Sequence, residues 1–547
     1  MRKLILLFTA LAACLTINAQ GPRVTVNEGI LEGVDSSGIK VFRGIPFAAP
    51  PVGDLRWHEP MPAAHWDGVR SAKAFGNDPM MSNAFGDMVF RGPKHSEDCL
   101  YLNVWTPAEK MNEQLPILIY FNGGGLVSGS GSEARYDGTS LARKGIIVVT
   151  ANYREGIFGF FAHPELSKET SYKGSGNYGL MDQAAAIKWV HDNIQAFGGD
   201  PARITIVGES AGSFSVSALM ASPLSRGLIH QAMGSSGSVL TKDILPLAEA
   251  EQQGKAWMKR HGLKNIKAAR QLSAEELNKL SDLNTMSMLD VDGKFFTEQP
   301  IETYKKGEQA QVNTLIGNNN AEAPLFWFAA GKPLTMESIA PFVENFFGVP
   351  ASQIYDLYNI HSDADLLKLQ GYELGGDIFI AYGTWKWTDL IRETCQKPAY
   401  RYVYSRPRPD MTLKDKEAGL AGGTVDKKEG APAMPKNPGA VHSADIEYAM
   451  GNLATNSAFA WEPVDYFVSD IFQNYYVNFV KTGNPNGLGL PKWEPVNGRN
   501  PEPVMIIDEY TRQQISADVD ARYHAIDKLI KDKNARDAQT IKKGKKK

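Results

Sequence analysis

Short apolar runs rich in branched and aromatic residues alternate with stretches of helical periodicity along most of this 547-residue chain. Leu115 to Asn122, Gly145 to Tyr153 and Arg203 to Val207 read as buried strands. Between the last two, Ala184, Ile187, Val190, Ile194 and Phe197 recur at three- and four-residue spacing, which puts one apolar helix face on Asp182 to Phe197. Asn313 to Gly317 and Pro398 to Ser405 read as later strands. Strand–helix–strand order of this kind predicts an α/β fold, with a central, mostly parallel sheet covered by helices on both faces. The stretch Leu240 to Asp290 reads as a helical insertion over that sheet, and Gly76 to Asp98 and Arg406 to Gly439 read as long surface loops. No break in composition separates a second domain, so residues 20–530 are expected to form one domain.

The two ends of the chain differ from this pattern. Arg2 and Lys3, the apolar run Leu4 to Cys14 and the small residues before Gln20 make residues 1–19 a signal peptide, cleaved after Ala19. Leu11-Ala12-Ala13-Cys14 also suits a lipoprotein signal that ends before an acylated Cys14. Either way the chain is expected to be exported, to a periplasm or the medium. The apolar run is too short to span a bilayer, and no later segment reads as a transmembrane helix. Five of the last six residues are lysines, so 531–547 reads as a basic, disordered tail. A net charge of −3 gives no reason to expect nucleic acid as a partner. Outside the leader there are two cysteines, Cys99 and Cys395, too few for a metal cluster or a disulfide framework; whether they pair is open.

The chemistry centres on Gly208-Glu209-Ser210-Ala211-Gly212, directly after the strand Arg203 to Val207. In G-x-S-x-G between strand and helix, the serine sits on a sharp turn with its hydroxyl exposed as a nucleophile. It needs a base and an orienting carboxylate, which follow it in the order acid, then histidine. Of the downstream histidines His230, His261, His361, His442 and His524, His442 is best placed, because it follows a strand and a flexible Pro/Gly loop. Glu322 lies just beyond the strand Asn313 to Gly317, where catalytic groups collect in open α/β sheets. Gly123-Gly124-Gly125, after the strand Leu115 to Tyr120, can present bare amides to an oxyanion, with the N–H of Ala211 as a further donor. Gly174 to Gly179 satisfies G-x-G-x-x-G, but the segment before it is polar and no strand, so no nucleotide site is expected.

Several separated motifs, in order from about Gly29 to Asp527, resemble the type-B carboxylesterases, cholinesterase-like members of the α/β-hydrolase fold. They include Phe42-Arg43-Gly44-Ile45-Pro46-Phe47-Ala48, Glu97-Asp98-Cys99-Leu100-Tyr101-Leu102-Asn103-Val104, Asn152-Tyr153-Arg154, and Gly176 to Gln183. The resemblance implies a triad of Ser210, Glu322 and His442, with oxyanion donors at Gly124, Gly125 and Ala211, and neither cofactor nor metal. It also implies helical and loop insertions over the active site. Three departures stand out. Cys99 lacks its usual upstream partner, which leaves the loop it would close untethered. That loop has no tryptophan, which argues against cholinesterase activity. Asn122 stands where many relatives carry His or Tyr.

The expected function is a secreted serine ester hydrolase acting on a small-molecule or polysaccharide-linked ester. An acyltransferase or amidase using the same triad, and a non-catalytic binding module on the same fold, are the alternatives. Loops 76–98 and 324–332 are expected to build the pocket; Leu325, Phe326, Trp327 and Phe328 suggest an apolar wall, although aromatics of this kind more often serve packing than recognition. Nothing in the sequence indicates the oligomeric state.

Overall fold

The computed structural model describes residues 21–82, 84–281, 289–329, 331–427 and 436–544, with side chains as far as 537. The leader read at 1–19 and Cys14 lie outside the described residues. The main sheet has eleven strands: β1 (Val34–Ser36), β2 (Ile39–Pro46), β3 (Tyr101–Thr106), β4 (Leu115–Phe121), β5 (Ile147–Ala151), β6 (Gly199–Glu209), β7 (Gln231–Ser235), β8 (Asn313–Asn319), β9 (Ala399–Tyr404), β10 (Pro503–Ile507) and β11 (Arg512–Ile515). Their spatial order is β11-β10-β9-β8-β7-β6-β4-β5-β3-β2-β1. From β5 to β10 every neighbouring pair is parallel, and the pairs outside that run are antiparallel.

Alternation along the central strands explains why both faces are covered. In β4, Ile117, Ile119 and Phe121 enter one core and Leu118 and Tyr120 the other. Side chains of a strand point to opposite faces in turn, so a fully apolar strand requires cover on both sides. On the first face lie α1 (Tyr178–Asn193), with Ala184, Ile187 and Val190, and α2 (Ala211–Ala221), with Val216 and Leu219. On the second lies α4 (Pro463–Thr482), with Val468, Phe472, Tyr475 and Phe479, while α3 (Tyr382–Thr394) joins the first core through Trp387, Leu390 and Ile391, nearer β8 and β9. A third core joins the helix Met336–Phe347 to α5 (Ala517–Gly544) through Ile339, Val343, Tyr523, Ile526 and Ile530.

α5 corrects the expected tail, because the helix continues through 531 as far as Gly544. Tyr523, Ile526 and Ile530 anchor its inner face. Lys528–Asp532 and Lys533–Asp537 then span single turns, and Arg536 donates to the carbonyl of Gly348. Among the described residues, no helix is long and apolar enough to cross a membrane.

Candidate active site

Ser210 sits between the end of β6 and the start of α2, with φ +56° and ψ −124°. The turn is tight enough to need both flanking glycines. A Cβ on Gly208 would overlap the Gly212 backbone, and one on Gly212 would overlap the Phe121 carbonyl of β4. Strand, turn and helix can cross only because neither position carries a side chain.

The structure brings three of the sequence-derived residues into one hydrogen-bonded line. His442 Nε2 lies 2.9 Å from Ser210 Oγ, and its Nδ1 lies 2.7 Å from Glu322 Oε2. The loop carrying His442 is fixed by its own backbone, whose N–H donates to the Glu322 carbonyl at 3.2 Å. Glu322 follows β8, and its second oxygen accepts from the Asn319 N–H at 2.7 Å and from the hydroxyl of Ser236, just after β7. With both oxygens engaged, this buried carboxylate has one available orientation.

Two further acids surround the imidazole. Glu209, the residue inside the serine motif, is buried, and its Oε1 stands 3.5 Å from His442 Nε2. Asp445 is buried as well, accepting from Ser235 Oγ and from Asn319 Nδ2 at 3.1 Å. Burial pushes the Glu209 carboxyl up to about 8 against the pull of His442. Burial disfavours the imidazolium of His442, but Glu209 and Glu322 outweigh it and raise the ring to about 9.

Gly124 and Gly125, at φ +111° and +66°, line the same cavity as Ser210 and Ala211. Gly124 leaves no room for substitution, since a Cβ there would overlap the Ser128 carbonyl. The cavity holds about 740 Å³ and is mostly apolar, walled by Phe85, Met88, Phe214, Phe346, Phe379 and Leu420. Both long loops contribute to its lining, Phe85 and Met88 from the first and Leu420 and Ala421 from the second. They clasp where the Gly423 N–H donates to Asp87 Oδ2 at 3.0 Å, and a Cβ on Gly423 would overlap the Asp87 carbonyl.

A profile of the carboxylesterase family matches residues 20–525. The chain belongs to the carboxylesterase family. It is 34% identical over 447 residues to fumonisin B1 esterase of Sphingopyxis macrogoltabida, covering 78% of this chain and 75% of that protein. Over 508 residues it is 30% identical to para-nitrobenzyl esterase of Bacillus subtilis strain 168, covering 89% and 95%. A solved structure of a para-nitrobenzyl esterase matches with a TM-score of 0.76 at 28% identity, over 92% of this chain and 99% of the other. The same figures hold for a carboxylesterase of Geobacillus stearothermophilus. The sheet and its helices are therefore an α/β-hydrolase fold, and the chain is a carboxylic-ester hydrolase.

Two expectations for this esterase need correction. Leu325, Phe326, Trp327 and Phe328 do not line the cavity. Their 3₁₀ turn instead packs Leu325 into the third core and stacks Phe328 on Phe342, with ring centroids 4.6 Å apart. The wall comes from Phe346 and Phe379, and Trp327 only backs Phe379 edge-on at 6.0 Å. Nor is the loop before Cys99 untethered. Asp78 is buried there and accepts from Ser130 and Ser132 at 2.5 and 2.7 Å, while Asn152 Nδ2 donates to the carbonyls of Asn77 and Cys99. A polar anchor takes the place of a disulfide, and Cys99 and Cys395 are both buried and free.

The remaining histidines lie elsewhere in the esterase. His230 accepts from the Ile204 N–H, His261 packs on Trp257, His361 is exposed, and His524 stands 3.5 Å from Asp520. The G-x-G-x-x-G segment is a turn whose last two residues open α1, held by Asn177 Nδ2 to the Asp290 carbonyl at 2.7 Å. Among the described residues, no cluster of three or more His, Cys, Asp or Glu could hold a metal. Sequence reasoning missed Glu209, Ser236, Asn319 and Asp445. Glu209 had a signal, because it lies inside the motif itself.

Proposed function

We propose that this ester hydrolase is an exported serine esterase that works through an acyl-enzyme on Ser210. The observation that carries the reading is His442, whose two ring nitrogens meet Ser210 Oγ at 2.9 Å and Glu322 Oε2 at 2.7 Å. Ser210 attacks the ester carbonyl while His442 takes its proton, then returns it to the leaving alcohol. Glu322 holds the tautomer that leaves Nε2 free to accept, and stabilises the imidazolium. The N–H groups of Gly124, Gly125 and Ala211 receive the oxyanion. Water then deacylates the enzyme by the same route.

The apolar walls of the cavity favour a small lipophilic ester over an acetylated sugar. Export rests on the leader at 1–19. An organophosphonate probe tests the mechanism. Labelling of the native protein should disappear in Ser210→Ala, with kcat lower by roughly 10⁴- to 10⁶-fold, whereas His361→Ala should change neither. Labelling that survives Ser210→Ala overturns the assignment. Turnover of amides in preference to matched esters would move the protein to the amidase reading.

A further inference from the structure

The loop Gly123–Gly125 needs support, because a glycine run has no side chains of its own to hold its amides in place. Its neighbour Asn122 supplies that support from inside the protein. Asn122 Nδ2 donates to the Gly123 carbonyl at 2.9 Å, and Tyr153 Oη donates to the Asn122 carbonyl at 3.0 Å. The same Nδ2 donates to Oε1 of Glu155 at 3.1 Å. Glu155 follows β5 and is fully buried, and the next residue, Gly156, ties its N–H to the Leu126 carbonyl at 2.7 Å, just beyond the loop. Two atoms of this cluster, Asn122 Oδ1 and Glu155 Oε2, are buried with no hydrogen-bond partner among the described residues.

We infer that Glu155 is a positioning residue for the oxyanion loop, acting through a paired hydrogen bond with the Asn122 carboxamide. The inference rests on the serine-esterase reading above. Donor and acceptor counts specify the form of the pair. A carboxylate would leave Oε2 and Oδ1 as two orphaned acceptors. A carboxylic acid offers one O–H to Oδ1 and one carbonyl to Nδ2, which satisfies both.

The surroundings agree with a neutral acid. The groups around Glu155 are Asn122 from the β4 loop, Tyr153 from the β5 end, and Cys99 from the segment before β3. Two cations, Arg154 and Arg56, line a small void with it, and each is paired with another carboxylate. Arg154 holds Asp182 at 2.7 and 2.8 Å, and Arg56 holds Glu97 through two bonds of 2.6 Å. Burial with no cation of its own pushes the Glu155 carboxyl well above the carboxylate range. Neutrality also matters for the reaction, since a buried anion behind the loop would oppose the oxyanion forming in front of it.

Three single variants, one double variant and one spectrum test this. Glu155→Leu should lower kcat roughly 100-fold with KM within about threefold, and slow phosphonate labelling of Ser210 to the same extent. Glu155→Gln repeats the donor–acceptor pair and should recover most of that loss. The native enzyme should lose kcat at alkaline pH as the acid ionises, and Glu155→Gln should not. Asn122→Ala should match Glu155→Leu in kcat, with no further loss in the double variant. Infrared difference spectra should contain a buried carboxylic-acid C=O band that is absent from Glu155→Gln; this readout does not depend on activity, so it separates failure of the pair from failure of the esterase mechanism. Unchanged kcat in a folded Glu155→Leu, or Glu155→Gln as impaired as Glu155→Leu, or no such infrared band, would overturn the inference.

Discussion

Oε1 of Glu209 lies 3.5 Å from Nε2 of His442, the nitrogen that also meets Ser210 Oγ, and has no hydrogen-bond partner among the described residues. An acid so placed acts on the charge of the ring. In the proposed mechanism His442 acts as base only when neutral, so activity should fall as pH drops through its titration. A carboxylate beside the ring favours the imidazolium and raises that titration. Glu209→Gln should therefore move the acid limb of kcat/KM to lower pH, read from pH–rate profiles. An acid limb that stays in place would remove Glu209 from this role.

Gly124 faces the cavity on one side and the Ser128 carbonyl on the other, with no space for a methyl group. Gly124→Ala should push the loop off its position and cost roughly 10²- to 10³-fold in kcat, the range for losing an oxyanion donor. Steady-state kinetics check it, with KM expected to change little. A loss confined to KM would mean that the loop binds substrate rather than the oxyanion.

Asp78 holds the loop of Cys99 through the buried hydroxyls of Ser130 and Ser132. Asp78→Ala removes the acceptor that both hydroxyls share, leaving Ser130 to Asn152 Oδ1 and Ser132 to the Arg91 N–H, at a cost of about 1–3 kcal/mol in all. The unfolding midpoint should fall well below that of the native protein. An unchanged midpoint would show that the anchor carries no stability.

Phe379 stands edge-on to His442, with centroids 5.0 Å apart and planes at 77°. Removing the ring by Phe379→Ala should widen the cavity beside the nucleophile. The ratio of kcat/KM for bulky over acetyl esters should rise by roughly tenfold or more. A panel of 4-nitrophenyl esters of increasing acyl size reads this directly.

The parts of the protein legible in the sequence are those whose signal is local. Ile117 to Phe121 alternates between two cores, so its run of apolar residues already announces a doubly covered strand. Ser210 carries its own turn in five residues. Glu322 and His442 could be chosen by chain order and by their positions after strands. The cavity wall was not legible, because Phe346 and Phe379 reach it from a helix and a π-helical turn, and tertiary packing alone turns them inward. In the segment Leu325 to Phe328, the same aromatic character was spent on the third core. Asp78 escaped notice because a buried acid that replaces a disulfide looks like any loop carboxylate until Ser130 and Ser132 are seen to point at it.

The clasp between Asp87 and Gly423 joins residues 336 positions apart, and the bond between Ser210 and His442 joins residues 232 apart. Contacts of such separation form only after most of the intervening chain has condensed, because the cost of closing a long loop must be met before they can reward it. The strand–turn–helix around Ser210 can be complete while Glu322, His442 and the cavity-lining Leu420 are still missing. A growing chain thus carries the proposed nucleophile through 232 further residues before its proposed base is made.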